Sequence, residues 1–189
     1  RVGKYLGYDI TTEYYINDAG AQMDLLGLSV SLAARDFLFK EDVTYPETYY
    51  RGEYLIDIAN VVIEKFGKDI IYDEARFKEI AFFSKDLVME IIIKDLKDLG
   101  ITFDNFVSEK SLYSSWDTTK EVLEKNGSLY SKDEKIYLKS TQYGDDSDRV
   151  VVRDNGIPTY LAGDIIYHKN KYDRKFDRYI NIWGADHHG

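Results

Sequence analysis

The sequence contains no cysteine, which removes disulfides and thiolate metal sites from consideration and fits a cytoplasmic location. Long apolar runs are missing too: no stretch approaches the roughly 20 residues that cross a bilayer, and no signal-peptide pattern opens the chain. Positive charge is in deficit. Against 34 Asp and Glu there are 25 Lys and Arg, leaving a formal charge of −9 and a pI near 4.9. That is the wrong sign for a segment whose main task is gripping nucleic acid. Lys169, Lys171, Arg174, Lys175 and Arg178 form the one basic cluster, which reads as a solvated helix end. Internal repeats and low-complexity tracts are absent. What is present is 44% hydrophobic residues over 189 positions, enough for a globular core. The chain opens on Arg1 rather than Met and stops at Gly189 inside a glycine-flanked loop, so a piece of a longer protein is expected.

The patterning predicts an α/β chain. Residues 1–8 read as a helix tail ending near Gly7, residues 11–16 (TTEYYI) as a strand, and Asn17-Asp18-Ala19-Gly20 as a turn. A helix is expected over about 21–39, with Leu25, Leu26, Leu28, Val30, Leu32, Ala33 and Phe37 on its apolar face. Gly27 inside it costs about 1 kcal/mol of helix propensity relative to Ala, so packing has to compensate. The tyrosine-rich residues 45–54 read as a loop packed by its own aromatics. Helices are expected over 54–66, with Ile58, Val61 and Val62 inward, and over 73–99, capped by Asp73 and stopped by Gly100. The second should bury a stripe of Phe77, Ile80, Ser84, Leu87 and Ile91 with Ala81, Val88 and Ile92. A strand at 101–107 then gives strand–helices–strand, hence a parallel pair joined by a crossover. A helix over 115–125 stops at Gly127, residues 135–139 and 149–153 alternate like strands, and Asp154-Asn155-Gly156 is a turn signal. Pro158 and Thr159 open another helix, Thr159 as its N-cap. Residues 178–183 (RYINIW) read as a strand running into Gly184-Ala185-Asp186-His187-His188-Gly189.

Three groups of residues carry candidate chemistry. Tyr160, Asp164 and His168 fall at i, i+4 and i+8, so one helix face presents a phenol, a carboxylate and an imidazole. Gly184, Asp186, His187, His188 and Gly189 lie at the carboxyl end of the last strand, where open α/β sheets bind ligands. Two readings are open there: a metal site built on Asp186-His187-His188, or a nucleotide cradle in which the glycines let ATP approach the backbone. Adjacent histidines on an extended strand point apart, which disfavours their sharing one ion. Asn17, Asp18 and Gln22 follow the first strand, on the same sheet edge, although Asn and Asp are also ordinary caps before a helix. The run Gly144-Asp145-Asp146-Ser147-Asp148-Arg149 suggests either a Mg²⁺ site or, more simply, a solvated acidic turn.

The strings TYLAGDIIYH and WGADHHG, with EYYINDAGAQM near the amino end, YRGEY in the middle and GDDSDRVVVR before the last helix, stand in the order found in arginyl-tRNA synthetases. Over nearly its whole length the chain resembles the catalytic domain of that family of class I aminoacyl-tRNA synthetases. The resemblance implies a partial Rossmann-type core: residues 1–107 as its first half, a small β-rich connective insertion over 108–157, and residues 158–189 as the start of the second half. It implies a cytoplasmic arginine–tRNA ligase that activates L-arginine with ATP, with Mg²⁺, to arginyl-adenylate and transfers the arginyl group to tRNA(Arg), activation requiring bound tRNA. By the same resemblance Tyr160 and Asp164 bind arginine, an acidic residue in the region of Asn17, Asp18 and Gln22 orients it, and the Gly184–Gly189 loop binds ATP. No structural zinc, membrane or disulfide partner is expected.

The family's phosphate-binding His-x-Gly-His element belongs before Arg1 and its Lys-Met-Ser-Lys-type loop beyond Gly189, so these residues alone are expected to be inactive. The rival readings are a metal-dependent phosphoesterase using Asp186, His187 and His188, and a non-catalytic, synthetase-derived arginine- or tRNA-binding module.

Overall fold

The computed structural model describes residues 2–184, and the chain divides into two compact units, Arg1–Ser108 and Glu109–Gly189. The first unit starts with helix α1 (Val2–Tyr5) and strand β1 (Glu13–Ile16). Helices α2 (Ala21–Ala33), α3 (Tyr54–Phe66) and α4 (Phe77–Asp98) follow, and then strand β2 (Asn105–Ser108). β1 and β2 pair in parallel, Glu13 opposite Asn105 and Ile16 opposite Ser108. The expected crossover is therefore present, although the second strand starts only at Asn105 and runs one residue past the expected 101–107 stretch.

α2 is the centre of this unit. Met23, Leu26, Val30, Leu32 and Ala33 are buried, and so are Gly27, Ser29 and Ser31, so it is enclosed on more than the single face that the leucine spacing suggested. The buried hydroxyls are satisfied: Ser31 donates to the Ile71 carbonyl at 2.6 Å, and Ser29 donates to Leu25 at 2.7 Å while accepting from the Tyr50 N–H. Gly27 explains how the neighbour fits. A Cβ there would lie 2.2 Å from the Phe77 carbonyl oxygen, so the missing side chain is what lets the start of α4 lie against α2. Val30, Ile58, Val62, Ile70, Ile71 and Ile80 close the core from α2, α3, a 3₁₀ turn (Lys68–Tyr72) and α4.

Several expected details shift. The helix over 21–39 finishes as a π-helical turn (Ala34–Leu38), which turns Phe37 outward at 49% exposure. In α3 the inward residues are Leu55, Ile58, Ala59 and Val62, and Val61 faces water. Asp73 caps a 3₁₀ turn (Glu74–Arg76), accepting the Ala75 N–H, and α4 begins only at Phe77. The stripe on α4 is buried at Ile80, Ala81 and Ser84 and fades toward the carboxyl end, where Ile91 is 43% exposed. Gly100, at φ 64°, ends the helix as expected, its N–H on Lys97 and that of Ile101 on Leu96.

The second unit holds helices α5 (Glu109–Leu112) and α6 (Trp116–Lys125) and then an antiparallel sheet, β3 (Leu129–Lys132), β4 (Lys135–Leu138) and β5 (Arg149–Val152) in that order. β3 escaped the sequence reading because its turn, Asp133-Glu134, lacks glycine. Both residues nonetheless take positive φ, as a tight hairpin requires. Tyr130 stacks on Tyr137 across the pair at 5.3 Å. The 145–149 run is a braced turn: Arg149 grips Asp145 with two 2.6 Å bonds, and Asp148 accepts from the Thr141 hydroxyl and N–H. Helix α7 (Tyr160–Asp173) follows, burying Ala162, Ile166 and Tyr167. The expected strand at 178–183 is irregular chain without a ladder partner among the described residues, its Ile180 and Ile182 exposed at 81% and 93%. A strand is defined by its neighbour, which β propensity alone does not supply.

Two outcomes test this packing. Gly27→Ala should lower unfolding free energy by about 1–3 kcal/mol through overpacking, despite the better helix propensity of Ala, as measured by denaturant unfolding. Asp104 accepts the Thr12 N–H and hydroxyl and the Lys4 ammonium, and these hold its carboxyl down at about 2. Its contribution to stability should be complete above the ordinary carboxylate range, about pH 4, and lost as pH falls through about 2, followed by carboxyl NMR.

Candidate functional site

The turn after β1 is stitched by its own side chains. Gln22 Nε2 donates to Asn17 Oδ1 and to the Ala19 carbonyl, which leaves the Asn17 amide NH₂ as the donor at this exposed turn. Asp18 is 3% exposed and behaves differently from its neighbours: both its oxygens accept from the Ser108 hydroxyl, at 2.9 and 2.7 Å, with Lys85 Nζ at 3.9 Å. Asp18 thus ties together the carboxyl ends of β1 and β2. A cleft of the same unit, about 510 Å³, lies beside Lys4, Asp9 and Asp104. The Asp104 carboxylate there is already engaged by Thr12 and Lys4.

In the second unit the first turn of α7 carries Tyr160, 55% exposed, and half-buried Asp164. Beside it sits Glu109, the residue directly after β2 in sequence, at 4% exposure. The Tyr113 hydroxyl donates to Glu109 Oε1 at 3.2 Å, and burial together with the charges of Glu109 and Asp164 pushes the phenol up to about 12. Gly163 admits this pair. A Cβ there would stand 3.0 Å from the Tyr113 oxygen and 3.3 Å from Glu109 Oε1. Two carboxylates and the Tyr113 phenol therefore lie about the turn of α7 that Tyr160 opens, an arrangement suited to a planar cation with several N–H donors. The sequence reading missed Glu109 and Tyr113. An acidic residue at the carboxyl end of a parallel strand is the available signal for Glu109, and the sequence reading applies it to Asp18 and Asp186 alone.

His168 shares the face. Its Nδ1 lies 2.8 Å from the Asp164 carbonyl oxygen; a carbonyl only accepts, so Nδ1 carries the proton. The ring lies 5.9 Å from Trp183 and helps line an open cavity of about 470 Å³ with Asp164, Leu161 and Tyr172. Of the expected nucleotide loop only Gly184 is described, and it is exposed; Asp186, His187, His188 and Gly189 lie outside the described residues. Among the described residues no group of three metal-ligating side chains converges, and no helix is long and apolar enough to cross a membrane.

No protein-family model matches the chain. Arginine–tRNA ligases of Aliarcobacter butzleri and Campylobacter curvus are 82% and 60% identical over all 189 residues, and the chain spans 36% of the length of each. A crystal structure assigned as an arginyl-tRNA synthetase of Campylobacter jejuni superposes with TM-score 0.93 at 45% identity, covering 100% of this chain and 42% of that one. The arginyl-tRNA synthetase of Plasmodium falciparum, at 15% identity and TM-score 0.55 over 90% of this chain and 29% of that one, shares the fold. The phosphoesterase reading finds no support among these relatives.

The neutral Tyr113 phenol favours folding below its ordinary range near pH 10, and that contribution should disappear as pH rises through about 12. Alkaline unfolding of Tyr113→Phe, compared with wild type, should lack this component.

Proposed function

From this relatedness along every residue, we infer that the chain is a segment of an arginine–tRNA ligase and that it carries the amino-acid side of the ligase site. The observation that carries the reading is the gathering of Glu109, Tyr113 and Asp164 about the turn of α7 that Tyr160 opens. A guanidinium presents its donors in a fixed fork, and carboxylates that accept parallel bonds are its natural partners. Asp164 and Glu109 take those bonds, and Tyr160 packs beside the fork. Asn17, Asp18 and Gln22 of the first unit are further arginine-binding residues in this reading, with Asn17 as donor and Asp18 securing the ends of β1 and β2. Gly184, Asp186, His187, His188 and Gly189 form the ATP side.

The chemistry of the whole protein is activation followed by transfer. The arginine carboxylate attacks the α-phosphorus of ATP in line, forming the adenylate and releasing pyrophosphate. A terminal ribose hydroxyl of tRNA(Arg) then attacks the adenylate carbonyl, and AMP leaves. Mg²⁺ accompanies ATP and offsets phosphate charge. Residues of this chain position the carboxylate and hold the guanidinium, and alignment of this kind is a large part of such a barrier. In this reading residues 1–107 are the first half of a Rossmann-type core, 108–157 a connective insertion and 158–189 the start of the second half, in a cytoplasmic enzyme that needs the segments outside this chain for turnover.

Aminoacylation by the full-length protein with ATP, Mg²⁺ and total tRNA tests the reading, with arginine set against lysine and citrulline. Charging of arginine alone is expected. Absence of charging with any of them would favour a binding module. In the same assay Asp164→Asn should raise the arginine KM by about two orders of magnitude, since it leaves a buried charge pair with one partner. It should leave the ATP KM nearly unchanged. An arginine KM equal to wild type would remove Asp164 from the site.

A further inference from the structure

Thr159 occupies the N-cap position of α7, at φ −86° and ψ 173°, yet its side chain makes no cap bond. A threonine at this place ordinarily accepts an N–H from the second or third residue of the helix. Here the hydroxyl points back. It donates to the Val150 carbonyl at 2.8 Å and lies 3.4 Å from that of Val151, which already accepts the Thr159 N–H at 2.9 Å. The residues before it are laid on β5 in the same way. Pro158 bridges to Val152, Arg153 donates to the Ile157 carbonyl at 3.0 Å, and Asn155 Oδ1 accepts the Ile157 N–H to close the turn. β5 is itself braced at its other end by the Arg149–Asp145 pair.

Thr159 is therefore the last residue of α7's approach fastened to the sheet, and Tyr160 is the next residue. Each residue of a helix advances its side-chain direction by about 100°, and the first turn behaves as a stiff unit. Whatever fixes Thr159 against β5 thus fixes the directions of Tyr160 and Asp164 together. A cap bond would stabilise the helix without relating it to the sheet. A bond to Val150 relates the two.

We propose that Thr159 is a positioning residue for amino-acid recognition: its hydroxyl bond to the Val150 carbonyl sets the rotation of the first turn of α7, and so the aim of Tyr160 and Asp164 at a guanidinium. The inference rests on the arginine reading of α7 given above.

The test uses the full-length ligase and tRNA-supported ATP–pyrophosphate exchange. Thr159→Val keeps the shape and removes the donor. It should raise the arginine KM about five- to tenfold, the size an ordinary hydrogen bond transmits, with the ATP KM unchanged. Thr159→Ser restores the hydroxyl and should return the arginine KM to wild type. Thr159→Asn is a good cap; it should hold the melting temperature at or above wild type and still share the loss with Thr159→Val. An unchanged arginine KM in Thr159→Val, a loss shared by Thr159→Ser, or arginine and ATP KM rising together overturns the proposal. Asp164→Asn run alongside separates the two claims. If it keeps the wild-type arginine KM, the arginine reading falls and this inference with it. If it loses arginine affinity while Thr159→Val does not, only the role of Thr159 falls.

Discussion

Pairing β1 with β2 in parallel is the constraint on which the first unit depends. Parallel strands cannot be joined by a tight turn, so the chain between Ile16 and Asn105 has to leave the sheet edge and return. It does so as three helices with α2 in the middle, and a helix in that position must be buried on most sides. This accounts for a composition that looks poor for a helix. Gly27 admits the Phe77 carbonyl, while Ser29 and Ser31 use their hydroxyls on nearby backbone. The crossover ends where it began: the Ser108 hydroxyl donates to Asp18, so the residue that follows the first strand secures the end of the second.

The second unit applies a similar economy to a different problem, which is aiming one helical turn. Its hairpin and acidic turn are braced internally, by the Tyr130–Tyr137 stack and the Arg149–Asp145 pair. The chain after Gly156 is held on β5 up to Thr159, and α7 starts from there. Gly163 removes the side chain that would keep Glu109 and Tyr113 away. A charged, partly dehydrated ligand gains most from carboxylates whose geometry is set in advance, because little reorganisation is left to pay for on binding.

The sequence determined the elements whose signal is local. Gly7, Gly67, Gly100 and Gly127 all take positive φ where helices stop; α3 and the start of α7 fall where their apolar spacing and Pro158 place them. Ordered motifs carry the resemblance to the arginine–tRNA ligases that the chain matches along all its residues, and the i, i+4 spacing put Tyr160 and Asp164 on one turn. Tertiary structure decided what no local pattern contains. The β-branched 178–183 stretch lacks a ladder partner among the described residues, because a strand needs a neighbour as well as propensity. Thr159 reads as a cap, but its hydroxyl is turned to donate to the Val150 carbonyl on β5 and makes no cap bond. Glu109 is far from Gly163 in sequence and lies against α7 only because Gly163 leaves room. Each of these outcomes depends on which distant backbone arrives within about 3 Å of a polar atom, a relation that sequence spacing does not encode.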